Sequence, residues 1–109
     1  MRIDHVQVAA PPGCEEAARA FYGGVLGLRE LEKPDALRKR GGVWFEQLHV
    51  GVEEDFRPAR KAHPALVVDD LDELAARIGD VVWDDAVPGV RRFYASDPFG
   101  NRLEFLQAR

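Results

Sequence analysis

The clearest pattern in this 109-residue chain is a strand-like alternation that appears, stops and then restarts. Between Ile3 and Ala9, the residues Ile3, His5, Gln7 and Ala9 share one face and Asp4, Val6 and Val8 the other, which is the period of a β-strand. Pro11-Pro12-Gly13 stops the strand. The stretch CEEAARAFY follows with acids in its first turn, and it predicts a helix with an apolar face at Ala17, Ala20 and Phe21. Gly23-Gly24 is expected to end that helix and VLGLREL to lead into an extended segment. From His63 the order begins again. HPALVV is a second strand, and Asp69-Asp70 supplies the cap of a helix over LDELAARI.

The two openings align without a gap. His5 and His63 are separated by 58 positions, and the same shift carries Glu15 onto Glu73 and Ala17-Ala18-Arg19 onto Ala75-Ala76-Arg77. A histidine, a helix and a tripeptide in one register point to an internal duplication, with units of about 1–52 and 60–109 inside one domain spanning 1–109. Each unit closes in strands. In the second, Asp97-Pro98-Phe99-Gly100 is a turn signal that folds Arg91–Ser96 against Asn101–Gln107 as an antiparallel hairpin. In the first, Val43 to Val52 has no such turn residue. It therefore reads as one extended segment, or as a place where loop residues near Glu46-Gln47 are missing. The connection at Gly79-Asp80 is equally tight.

Composition narrows the partners. Hydrophobic residues at 46% and charged residues at 31% are ordinary for a globular chain. A net charge of −4 disfavours nucleic acid and anionic membrane surfaces, and Arg38-Lys39-Arg40 and Arg91-Arg92 are too short to reverse that. Cys14 is the sole cysteine, so no intrachain disulfide forms. No segment has the apolar length of a signal peptide or a membrane span, which makes the cytoplasm the expected location.

Two strand–helix–multistrand units, each opening on a histidine-bearing strand, resemble the vicinal oxygen chelate superfamily, and so does the near-terminal DPFGNRLEF. The superfamily includes glyoxalase I, extradiol dioxygenases, fosfomycin-resistance enzymes and bleomycin-resistance proteins. The resemblance covers essentially the whole chain. It implies an α+β fold in which two βαβββ-type units form a curved mixed sheet around a cavity, with helices on the outer face. It further implies a divalent metal (Fe, Mn, Ni or Zn) held by His5, His63 and Glu104, with the fourth position at Gln47 or His49 and Glu104 also serving catalysis.

Two imidazoles and a carboxylate suit a first-row ion, and in NRLEFLQ the apolar Leu103 and Phe105 turn Glu104 to the opposite face. Trp44, Arg92, Tyr94 and Arg102 are candidate substrate contacts, although the aromatics would suit a core and the arginines surface ion pairs equally well. The resemblance implies a homodimer acting on a small oxygen-rich molecule as a lyase or isomerase, transferase or dioxygenase. The competing reading is a metal-free protein that sequesters a drug, as bleomycin-resistance proteins do.

Overall fold

Alternating apolar residues build two four-stranded sheets, and each sheet buries one face under the helices. The computed structural model describes all of Met1–Arg109. In the first unit, β1 (Val6–Ala10) is followed by a short helix, α1 (Glu15–Ala18), which continues as a π-helical segment over Arg19–Val25. Then come β2 (Glu30–Leu31), α2 (Asp35–Arg38), β3 (Val43–Phe45) and β4 (Leu48–Val52). The second unit contains β5 (Ala65–Val68), α3 (Leu71–Ile78), β6 (Val82–Asp84), β7 (Arg92–Ser96) and β8 (Arg102–Gln107).

The sheet orders are β1-β4-β3-β2 and β5-β8-β7-β6, so both units have one topology. In each, the first strand runs parallel to the last and the remaining pairs are antiparallel. The registers also match. Gln7 faces His49 and Ala65 faces Glu104, and Gln7 and Ala65 are related by the same 58-residue shift. His49 and Glu104 therefore hold equivalent positions.

Several expectations need correction. Val43–Val52 is neither one strand nor short of residues: it is a hairpin whose turn is Glu46-Gln47, with Gln47 in the left-handed region at φ 59°. No glycine, proline or asparagine marked this turn, which is why the alternation read straight through it. The first helix buries Cys14, Ala18 and Tyr22, spaced i, i+4, i+8, whereas Ala17 and Ala20 are exposed and Phe21 is half-buried. Gly23-Gly24 does not end that helix. The backbone loosens instead, and Leu26 N–H donates to Phe21 C=O in an i→i+5 bond. Regular pairing begins at Val6, which leaves His5 just ahead of β1, and the helix α2 was not foreseen.

α3 follows its sequence closely: Asp70 accepts from the Glu73 N–H at 3.1 Å, and Leu71 and Leu74 point into the core. Phe93, Ala95, Leu103 and Phe105 supply the buried face of the second sheet; Val43, Phe45, Leu48 and Val50 supply that of the first.

A buried polar clasp joins the units. Tyr22 O–H donates to Asp97 Oδ2 at 2.7 Å, and Asn101 Nδ2 donates to Ala9 C=O at 2.8 Å and to Asp97 Oδ2 at 2.9 Å. Asn101 Oδ1 accepts from the Ala59 N–H at 2.9 Å, so the connecting segment is tied in as well. The second Asp97 oxygen accepts from the N–H groups of Phe99 and Asn101 and shapes the turn. The aspartate and asparagine of DPFGN thus do more than make a hairpin. Burial, reinforced by Asp97, pushes the Tyr22 phenol far above its usual range.

Candidate functional site

The helix-free face of each sheet carries the chemistry. Along β8, Leu103 and Phe105 point into the core, so Arg102, Glu104 and Leu106 emerge on the other side. Tyr94 is opposite Glu104 on β7, and Arg92 is opposite Leu106. On this face Glu104 is buried at 6% exposure and is held from two sides. His63 Nε2 approaches Oε1 at 3.0 Å, and Arg92 Nη1 donates to Oε2 at 3.2 Å. Arg92 is braced in turn by Asp84, whose Oδ1 accepts from Nη2 at 3.0 Å. The Ala86 N–H, followed by Arg92, holds the Asp84 carboxyl below the ordinary range.

The His63 tautomer follows from its other nitrogen. Nδ1 is 2.8 Å from the Lys61 carbonyl, which can only accept, so Nδ1 carries a proton. Nε2 and the Glu104 carboxylate then face each other as two acceptors unless a proton or a cation lies between them. At 3.0 Å apart, an imidazole nitrogen and a carboxylate oxygen are donors of the kind that would hold one divalent first-row ion between them. The carbonyl behind the imidazole also has the form of outer-shell support that fixes a ligating histidine.

The first unit presents the equivalent positions with different chemistry. His49 is stacked between two rings, Trp44 at 4.3 Å between centroids and His5 at 4.1 Å, both nearly parallel to it. Burial and then the neighbouring His5 push the His49 imidazole below its usual value, which favours the neutral, ligating form. His5 Nδ1 donates to Asp4 Oδ2 at 2.8 Å, so its Nε2 is unprotonated in the neutral ring.

The structure therefore brings the proposed ligands together as two pairs, His5 with His49 and His63 with Glu104. No group of three or more His, Cys, Asp or Glu side chains in one chain is arranged to hold a metal ion. His49, not Gln47, occupies the register position equivalent to Glu104; Gln47 sits exposed in the hairpin turn. Of the candidate substrate contacts, Tyr94 has Arg102 over its ring at 4.0 Å and Arg92 at 5.5 Å, with His63 edge-on at 5.5 Å. Trp44 belongs to the histidine stack of the other unit. Asp84 was missed by sequence reasoning, because only its pairing with Arg92 across β6 and β7 reveals it. Cys14 is buried, and burial raises its thiol, so it remains an inert core residue. No helix is long and apolar enough to cross a membrane.

No protein-family model and no curated protein matches the chain. Solved structures do. A protein described as a glyoxalase family member from Bacillus anthracis is 52% identical over 100% of this chain and 96% of its own, with a TM-score of 0.94. A glyoxalase/dioxygenase from Nostoc punctiforme shares the fold at 22% identity and a TM-score of 0.77, covering 99% of this chain and 91% of its own. An antibiotic binding protein from a Streptomyces species aligns at 25% identity and a TM-score of 0.65, over 100% of this chain and 99% of its own. With one relative so similar over the full length, and with the duplicated βαβββ topology, the chain belongs to the glyoxalase family.

Proposed function

We propose that the protein is a divalent-metal-dependent enzyme acting on a small, oxygen-rich organic molecule, and that its site is completed in a homodimer. The observation that carries this reading is the His63–Glu104 pair, two acceptors aimed at each other at 3.0 Å with the histidine tautomer set from behind. His5 and His49 offer two further imidazole nitrogens. Neither pair suffices alone, and a second copy supplies the missing pair if the first sheet of one subunit faces the second sheet of the other.

A metal held by these four residues would supply Lewis-acid polarisation of neighbouring substrate oxygens. The chain's own groups have separable roles. Arg92 holds Glu104 Oε2 and so aims Oε1 at His63 Nε2, the two atoms of the second unit that would hold the ion. Trp44 and Tyr94 form aromatic walls at corresponding positions of the two units, and Arg102 lies over Tyr94. The reaction types that fit are lyase or isomerase, transferase and dioxygenase.

Titration of purified protein with Fe(II), Mn(II), Ni(II) and Zn(II), followed by light scattering, tests the proposal. We expect one tightly bound ion per chain and a particle of twice 12.2 kDa. A protein that binds none of the four, or remains a 12.2 kDa species, contradicts it.

A second reading is favoured by the Arg92–Glu104 ion pair, since a guanidinium compensates a buried carboxylate without any metal. A protein with that arrangement sequesters a small molecule or drug, and the fold shared with the antibiotic binding protein supports this as well. Retention of ligand binding in chelator-treated protein with no turnover would favour it.

A further inference from the structure

We infer that Arg102, stacked on Tyr94, is the receptor for an oxyanion of the ligand, a carboxylate or a phosphate-type group, and that Arg92 is not. This inference rests on the preceding reading only in taking the His63–Glu104 end as the place where the reacting oxygens lie. The two arginines flank one ring but differ in their commitments. Arg92 spends its guanidinium on Asp84 and Glu104, at 3.0 and 3.2 Å, and so is neutralised from both sides. Arg102 has no ion pair and no side-chain hydrogen bond, and only the longer-range attraction of Asp84 reaches it; its Cζ lies over the Tyr94 ring, 4.0 Å from the centroid.

An arginine held against an aromatic face retains its donors while its rotamers are restricted, and it presents a fork that matches an oxyanion. Ser96, paired with Arg102 across β7 and β8, adds a hydroxyl with no partner in the chain. Both residues line a hollow of about 470 Å³ that also includes Tyr94, Val82, Ile78 and Phe21. Two carboxylates reach its wall. Asp97 has both oxygens occupied by Tyr22, Asn101 and backbone N–H groups, and Asp80 sits exposed at the rim. The hollow therefore has a half-apolar lining with Arg102 as its one cation and Asp80 as the one unpaired carboxylate at its rim, and a cation so placed fixes the orientation of a charged group.

Spacing defines the ligand further. Arg102 and Glu104 are two residues apart on one strand face, a distance of about 7 Å. The ligand is thus a small molecule whose anionic group stands about that far from its chelating or reacting oxygens, with apolar atoms between them against Tyr94 and Val82.

The test uses metal-free protein in EDTA, so that it does not depend on metal binding. Inorganic phosphate and acetate are titrated separately while the arginine Nε–Hε and backbone resonances are followed by NMR. We expect saturable shifts centred on Arg102 and Ser96, and a dissociation constant at least tenfold weaker in Arg102→Met. Arg102→Lys should recover part of the affinity, because it restores the charge but not the fork. Arg91→Met, which removes a guanidinium paired with Asp72, should bind as the parent does. The anion that binds more tightly identifies the group. Unchanged affinity in Arg102→Met, or shifts centred on Arg92, overturns the inference. Failure to bind metal alongside intact anion binding at Arg102 would count against the enzyme reading alone.

Discussion

The two units of this protein share a backbone and divide the chemistry. Both run βαβββ, with the first strand parallel to the last and with His49 and Glu104 in equivalent registers. Around His49 the neighbours are the rings of Trp44 and His5, and burial favours its neutral form. Around Glu104 they are a histidine, an arginine and that arginine's aspartate. One position explains much of the difference. Gly42, just ahead of β3, corresponds to Arg92 on β7, since Val43 and Phe93 pair with the residues that follow His49 and Glu104. Gly42 has φ 84°, and an added Cβ would lie 2.2 Å from the Val50 carbonyl oxygen, so no side chain fits there. Duplication supplies two copies of a scaffold, and a single backbone conformation decides which copy can support a braced carboxylate.

The largest expected effect comes from uncoupling the units. Asn101→Ala removes three side-chain hydrogen bonds that reach Ala9, Ala59 and Asp97, and denaturant unfolding should show a loss of about 3 kcal/mol. A loss below about 1 kcal/mol would mean that the clasp is incidental to the pairing of the two halves.

Next come the two half-sites. Glu104→Ala and His63→Ala should each weaken divalent-metal binding by about 100-fold, a direct ligand loss. Arg92→Met should weaken it only about tenfold, because Arg92 orients Glu104 and ligates nothing. Equal effects from all three would erase the distinction between ligand and positioning residue.

Tyr22 sharpens the picture of the joint. Its phenol is held protonated in the fold, whereas in the unfolded chain it ionises near 10.0. Above that value the unfolded state binds fewer protons than the folded state, so stability falls as pH rises. The expected slope is about 1.4 kcal/mol per pH unit from this group. Tyr22→Phe should flatten that slope while lowering stability at neutral pH by about 1 kcal/mol for the lost bond to Asp97. An unchanged alkaline slope in the variant would assign the effect elsewhere.

The smallest effect separates the two hairpins. Gln47 holds a positive φ that the second hairpin assigns to Gly100, and Gln47→Gly should stabilise the protein by up to about 1 kcal/mol. A destabilised variant would show that the unfolded-state entropy of the added glycine outweighs the relief of strain.

What the sequence revealed follows the same division. The repeat was legible because both first strands and their helices keep an ungapped 58-residue spacing, and strand alternation correctly placed Glu104 opposite the core-facing Leu103 and Phe105. The Glu46-Gln47 turn was illegible because a left-handed glutamine carries no composition signal, and that gap obscured whether Gln47 or His49 was the equivalent of Glu104. The buried face of the first helix was misread because alanines at 17, 18 and 20 look alike, while the packing of Tyr22 against the other unit chose Ala18. The Asp84–Arg92–Glu104 chain depends on cross-strand register, which local patterns do not encode.

The most direct test of the central claim, that two unlike half-sites from two subunits make one metal site, is complementation. One variant carries His5→Ala with His49→Ala, the other His63→Ala with Glu104→Ala, and each alone should bind no divalent metal. Unfolded together and refolded, the mixture should regain about one bound ion per four chains, since half of the dimers are mixed and each mixed dimer has one complete site. Metal bound by either variant alone, or a mixture that regains none, contradicts the account.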